Sequence, residues 1–240
     1  MKSPIFNMDI KVIASGSSGN ATLISDSKTA LLLDAGISIK DLERGSGFTL
    51  SRVSACLVTH EHQDHSKACK DLAKRGTDIY ASAGTLRSIN ADGHRYKAVS
   101  PLTSFSVGTF DIMGFDVKHD AAEPIGYLLY SSRTREKLLY FVDTAYVRYS
   151  FSNVDYFVVE CNHGERELRE SVSRGVISPE LAARIAKNHL SLERLLDFLK
   201  ANDLSRVREI HLIHVSDNNS NEQRFKQEVQ RATGVQVYIH

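Results

Sequence analysis

The chain has 240 residues, with Lys plus Arg 30 against Asp plus Glu 29, so its formal net charge is +1. Near-neutrality excludes a strongly basic, sequence-independent coat for nucleic acid, though not a local basic groove. With 42% apolar and 25% charged residues, it has the composition of a globular protein that buries a core without disulfides. Three cysteines, Cys56, Cys69 and Cys161, form no CxxC pair and an odd count leaves one unmatched. That pattern points to a reducing, cytoplasmic setting. No apolar run approaches the ~20 residues of a membrane span, and Met1–Met8 lacks the apolar stretch of a signal peptide. No repeat or Pro-rich linker interrupts the chain, so one domain over residues 1–240 is expected.

The first two-thirds read mostly as strands. Asp9–Ala14 stops at Ser15-Gly-Ser-Ser-Gly-Asn20, and Ala21–Ser25 and Ala30–Leu33 flank the polar turn Asp26-Ser-Lys28 as a hairpin would. Ala55–Thr59 is a short, unbroken apolar run, the pattern of a strand buried on both faces. Further strands are expected at Phe110–Val117, Tyr127–Tyr130, Lys137–Val142 and Val154–Val159, with helices near Ser66–Arg75 and Thr85–Ile89. In the last third, Ser178 is an N-cap candidate with Pro179 at the first helical position, opening a helix to Lys187. Leu192, Leu195, Leu196 and Leu199 recur at i, i+3, i+4 and i+7, one apolar helical face. Glu209–Val215 reads as a buried strand, Gln223–Gln230 as a helix and Val235–Ile239 as a closing strand. Strands with interspersed helices predict two sheets with helices outside.

The densest chemistry lies in His60-Glu-His-Gln-Asp-His65, where three imidazoles and two carboxylates follow a buried strand. Neutral imidazole nitrogen and carboxylate oxygen are both good ligands for Zn²⁺ and similar ions. The i, i+2 spacing of His60 and His62 puts both rings on one side of an extended segment. Asp64 and His65 then lie where the chain turns, so one ion could take the first pair and a second ion the other.

HxHxDH after a buried strand resembles the signature of the metallo-β-lactamase superfamily, and the remaining landmarks follow in order. His119 resembles the histidine of the third motif. Asp143, in Tyr140-Phe-Val-Asp-Thr144, resembles the carboxylate that bridges both metals, and His214, in Leu212-Ile-His-Val-Ser216, the histidine that completes the second metal site. Ala14–Asn20, His119-Asp-Ala121, Glu160-Cys-Asn162, His189-Leu-Ser191 and His214–Asn219 narrow the likeness to the YycJ-like (WalJ-like) branch, related to tRNase Z and RNase J. One departure is that Asn188 precedes and Leu192 follows the His-Leu-Ser motif, where that branch commonly has Gly and Asn.

The resemblance implies an α/β fold, the metallo-β-lactamase αβ/βα sandwich, with two mixed β-sheets and helices on the outer faces. It implies two divalent metal ions, Zn²⁺ or Mn²⁺, held by His60, His62, Asp64, His65, His119, Asp143 and His214. Asp64 and Asp143 then act in catalysis through the ions, whose shared hydroxide attacks phosphorus, and His189 contacts the scissile phosphate or protonates the leaving oxygen. Substrate contacts are expected from Ser17 and Asn20, in a loop whose glycines could shape an anion nest, and from His189 and Ser216. Glu160 and His163 are expected to support the ligands without joining them. The implied activity is that of a phosphodiesterase, a 5′→3′ exonuclease on DNA. Cyclic mononucleotides or other small phosphodiesters, RNA processing, and a non-catalytic binding protein are the competing readings. No membrane partner is expected, and a homo-oligomer is compatible with the sequence.

Overall fold

In the computed structural model, which describes residues 7–240, β1 (Asp9–Ala14), β2 (Ala21–Ser25) and β3 (Ala30–Leu33) pair antiparallel in turn, the last two through the expected hairpin. The expectation for Met1–Met8 rests mainly on residues 1–6, outside the described residues. Chain contacts divide the backbone into two units, one of residues up to 116 with 121–137, the other of residues 117–120 and 138–240.

The first unit continues with α1 (Ile39–Gly45), a 3₁₀ turn at Leu50–Arg52 and β4 (Val53–Leu57). Then come α2 (Gln63–Ser66), α3 (Cys69–Lys74), β5 (Asp78–Ser82), α4 (Ala83–Ser88) and β6 (Tyr96–Val99). Strands β1 to β6 lie in sequence order, and β3 to β6 run parallel. Parallel neighbours need a crossover, which the short helices after β4 and β5 supply. Leu32, Cys56, Leu72 and Ile79 are buried in the core beneath this sheet. The helix expected at Ser66–Arg75 is two short helices, and α1, β5 and β6 lay outside the sequence reading. Helix α1 is announced only by its cap, Ser38, whose hydroxyl accepts from the Asp41 N–H.

Strands β7 (Ser104–Val107), β8 (Phe110–Asp116) and β9 (Ile125–Ser131) form an antiparallel meander in the same unit. The β7–β8 turn at Gly108-Thr109 docks on the β2–β3 turn. A Cβ at Gly108, whose φ is +57°, would meet Thr29 Oγ1 at 2.3 Å. The buried Asp26 carboxylate fastens this junction, accepting from Lys28 N at 3.0 Å, Thr29 N at 2.8 Å, Ser131 Oγ at 2.7 Å and the Thr109 hydroxyl. Burial pushes its pKa up, but the hydrogen bonds more than offset this and leave it below the ordinary carboxylate value. Asp26→Ala is expected to destabilise the chain by about 2–4 kcal/mol, because several donors lose their acceptor. The wild-type contribution is present above the unfolded pKa of about 3.9 and is lost as pH falls through the lower folded value. Denaturant unfolding of both proteins at neutral and acid pH checks it: the gap between them should narrow on acidification.

The second unit is a parallel sheet, β10 (Lys137–Phe141), β11 (Tyr156–Glu160), β12 (Glu209–Ile213) and β13 (Gln236–Ile239), in that order. β10 and β11 carry the near-continuous apolar runs expected of strands covered on both faces. Helices α5 (Glu165–Ser173), α6 (Pro179–Asn188) and α7 (Leu192–Lys200) cross from β11 to β12, and α8 (Glu222–Thr233) from β12 to β13. Ser178 caps α6 through the Leu181 N–H, as expected. On α7 the buried face is Leu192, Leu195, Phe198 and Leu199; Leu196 is only partly buried, because the 3.6-residue period brings Phe198 round to the core side. Strands therefore fall into two sheets of mixed direction with helices among them, the α/β class expected. Among the described residues, no helix is long and apolar enough to cross a membrane.

Candidate metal centre

In the first unit the chemistry begins where β3 and β4 end side by side. Asp34, fully buried at the end of β3 with φ +59°, accepts from the Thr59 N–H at 2.8 Å and from the Thr59 hydroxyl at 3.0 Å. Its other oxygen lies 2.9 Å from His65 Nδ1. A carboxylate at Nδ1 keeps the proton there and leaves Nε2 with its lone pair, the arrangement typical of metal-ligating histidines. Thr59 Oγ1, its proton directed to Asp34, can accept from His60 Nδ1 at 3.1 Å, which frees His60 Nε2 in the same way. His60 Nε2 is 3.1 Å from His62 Nδ1, and His65 Nε2 is 3.4 Å from Asp64 Oδ2. Two ligands on one tetrahedral zinc, with bonds near 2.0–2.1 Å, are ~3.3 Å apart. Both pairs therefore have the spacing of ligands that share an ion.

The loop Ser15–Asn20 closes against this segment. Asn20 is buried, and its side chain accepts from Gly16 N, donates to Gly16 O and sits 3.1 Å from His65 Nε2. Ser17 is exposed on the same loop. Gly16 and Gly19 have φ of +104° and +147°, the backbone freedom expected of them. Gly36 gave no signal in the sequence, yet a Cβ there would lie 1.6 Å from the Asp64 carbonyl oxygen. Gly36→Ala must push the ligand-bearing turn away. It is expected to cost about 2–3 kcal/mol and to lower metal affinity, measured by denaturant unfolding and metal content.

In the second unit, the donors stand at the carboxyl ends of parallel strands. Asp143, just past β10, and His214, just past β12, both adopt left-handed backbone, with φ of +50° and +55°. Asp143 Oδ1 is 2.8 Å from His214 Nδ1, and Asp143 Oδ2 is 3.6 Å from His119 Nε2. His119 is oriented by the Asn188 carbonyl, 3.1 Å from its Nδ1. Glu160, fully buried at the end of β11, accepts from Thr144 N at 2.9 Å and Leu190 N at 3.1 Å through Oε2. Its Oε1 lies 2.7 Å from His189 Nδ1 and 3.1 Å from His214 Nδ1. Asp143, Glu160, His189 and His214 thus bring donor atoms within 4.8 Å of one another.

Electrostatics follow from that packing. Burial disfavours a charged His189, but Glu160 and Asp143 raise its pKa to about 10. Burial likewise disfavours charge on His214, and Asp143 and Glu160 raise it to about 9. Burial alone would raise Glu160; His189 and His214 hold it at about 2. His119 is lowered chiefly by burial, and burial takes His163 to about 4. His163 is buried, and its carbonyl accepts from Leu192 N at 2.8 Å. Ser216 is half-buried, donates its N–H to Asn162 O at 2.9 Å and accepts from Asn219 Nδ2 at 3.1 Å. Glu160 is as central as any expected ligand. Asp34 was missed in the sequence, although an acid directly after Leu31-Leu-Leu33 is a visible signal.

A family model described as "Beta-lactamase superfamily domain" matches residues 29–214. The chain is 30% identical over 236 residues to Exodeoxyribonuclease YycJ of Bacillus anthracis, covering 90% of this chain and 85% of that protein. It is 31% identical over 226 residues to Exodeoxyribonuclease WalJ of Streptococcus pneumoniae, covering 87% and 82%. Among solved structures, the metallo-β-lactamase fold protein YhfI from Bacillus subtilis superimposes with a TM-score of 0.73 at 17% identity, covering 98% of this chain and 97% of that one. Buried imidazoles and carboxylates at single-ion spacing fit the divalent ions that this fold implies. The chain belongs to the β-lactamase superfamily, with the metallo-β-lactamase fold, and is a hydrolase of that kind.

Proposed function

We propose that the chain is a two-metal phosphodiesterase that degrades DNA as a 5′→3′ exonuclease. The observation that supports it is the chemistry of the two donor sets, whose histidine nitrogens and carboxylates stand at ligand spacing beside buried strand ends. In this reading His60, His62 and His119 hold one ion, Asp64, His65 and His214 the other, and Asp143 serves both. The ions are Zn²⁺ or Mn²⁺: the imidazole-rich set suits zinc, while carboxylates and phosphate also suit manganese. Two divalent ions held by these residues would supply Lewis-acid stabilisation of phosphate charge and a water of lowered pKa near neutral pH.

The chain's own residues do the rest. Asp34 and Thr59 fix the ring orientation of His65 and His60. Glu160 holds the Nδ1 side of His189, so Nε2 is the nitrogen offered to substrate, where it gives its proton to the leaving oxygen. Ser17 and Ser216 contact the phosphate chain; Asn20, also expected there, is buried with its side chain bonded to Gly16 and facing His65, so it shapes the loop instead. Residues 1–240 work as one domain, and three free, buried cysteines suit a reducing cytoplasm. The relatives' names, both exodeoxyribonucleases, favour DNA over small phosphodiesters.

The test is cleavage of 5′-labelled single- and double-stranded DNA, RNA and cyclic nucleotides by metal-loaded protein. For single-stranded DNA, binding should weaken with salt at a log–log slope of about −0.7 per phosphate contacted. Turnover of cyclic mononucleotides with no cleavage of any DNA would overturn the polynucleotide reading.

A further inference from the structure

The connection from β10 to β11, residues 142–155, joins parallel neighbours without any helix or strand of its own. Such crossovers are usually helical, and irregular loops of this length are uncommon unless they serve a function. This one is pinned at both ends. Thr144 N donates to Glu160, and the Ala145 carbonyl accepts from Arg194 Nη1 at 3.0 Å. Phe151 N donates to Asn202 Oδ1 at 2.6 Å, and the Phe151 ring packs near Phe198. Between the pins, residues 146–150 form one wall of a cavity of about 520 Å³ against α7, the volume of a small-ligand site.

The lining combines aromatic rings and guanidinium groups over an apolar floor. Tyr146 is 54% exposed, so its ring is not packed for stability. Arg148 lies 5.1 Å over the Tyr149 ring. Arg194 is exposed, and Leu190 and Phe198 are the buried floor. Asp197 is the one acid of the lining and is mostly exposed, 3.7 Å from Lys200. Exposed aromatic faces beside cations are what single-stranded nucleic acid uses, with bases stacking on rings and phosphates meeting Arg. The cavity also adjoins the chemistry in sequence: Leu190 follows His189, and Tyr146 lies three residues after Asp143.

We propose that this cavity receives an unpaired base of a DNA strand, stacked on Tyr146, with Arg148 and Arg194 meeting the flanking phosphates. The proposal rests on the phosphodiesterase reading. A duplex would have to unpair its end before the base could enter.

The test compares wild type, Tyr146→Ala and Tyr146→Phe on a single-stranded oligonucleotide and on bis(p-nitrophenyl) phosphate, which has no base. The ratio of the two kcat/KM values should fall on the order of 5- to 100-fold in Tyr146→Ala and recover in Tyr146→Phe, because stacking needs the ring and not the hydroxyl. In parallel, a 2-aminopurine oligonucleotide in EDTA should be quenched on binding wild type and Tyr146→Phe, and not Tyr146→Ala. Wild-type cleavage of DNA with an unchanged ratio in Tyr146→Ala overturns the cavity assignment alone. Equal loss on both substrates also overturns it, by showing a structural role. Wild-type turnover of the nitrophenyl diester with no action on DNA removes the polynucleotide reading, and the cavity assignment with it.

Discussion

His189→Ala is expected to keep both metal ions and to lose catalysis on DNA by about 10²–10⁴-fold, the contribution of a positioned general acid. His189 is the C-cap of α6, in extended backbone with φ −127°, so its side chain leaves the helix end. Its Nδ1 is fixed by Glu160, which is itself held by two backbone N–H groups, Thr144 and Leu190. That network orients the ring firmly without needing an ion. The loss should shrink on a nitrophenyl diester, whose leaving group departs without a proton. Metal content and turnover of the variant on both substrates check this. Loss of metal from His189→Ala, with His214→Ala fully loaded, would mean that the two roles are reversed.

Asp143→Ala is expected to have the larger effect on metal, taking the chain from two ions to about none and turnover to background. The carboxylate is buried, with His214 at 2.8 Å from one oxygen and His119 at 3.6 Å from the other. One side chain therefore addresses two histidines assigned to different ions. His214→Ala removes a ligand of only one ion, so it should retain the other. Metal analysis after loading and gel filtration reads both variants, and circular dichroism guards against simple unfolding. Equal metal content in Asp143→Ala and wild type would remove the bridging role. The left-handed backbone at Asp143 also costs energy in a non-glycine residue, the kind of strain that clusters at functional sites.

The fold was legible wherever burial set the pattern. Leu138–Phe141 and, around His211, Ile210, Leu212 and Ile213 are apolar because parallel strands are covered on both faces, and β2 and β3 flank a turn whose Asp26 signals it. Helix α5 was not legible: Glu-Arg-Glu-Leu-Arg-Glu-Ser-Val-Ser carries only Leu168 and Val172 as apolar markers. Strands β6 and β7 escaped for a related reason, since Tyr96–Val99 and Ser104–Val107 are short and half-exposed. At the site, ligand chemistry concentrated in one hexapeptide is visible in any reading, and the structure sets it at the end of β4. Asp34 and Gly36 were not, because their importance arises from contacts with residues about 25–30 positions away, Thr59, His65 and Asp64. Nor was the helix-free crossover after β10, since only the pairing of β10 with β11 makes it a crossover.

If the proposed metal centre cleaves DNA, removing the metal must stop the reaction and restoring it must bring the reaction back. The most direct measurement is incubation of chelator-stripped and of Zn²⁺- or Mn²⁺-restored protein with 5′-labelled single-stranded DNA, beside a cyclic mononucleotide. The stripped protein should give no reaction, and restoring metal should release the labelled 5′ nucleotide, with little turnover of the cyclic nucleotide. Intact DNA in the presence of two bound ions per chain, with rapid hydrolysis of the cyclic nucleotide, would contradict it.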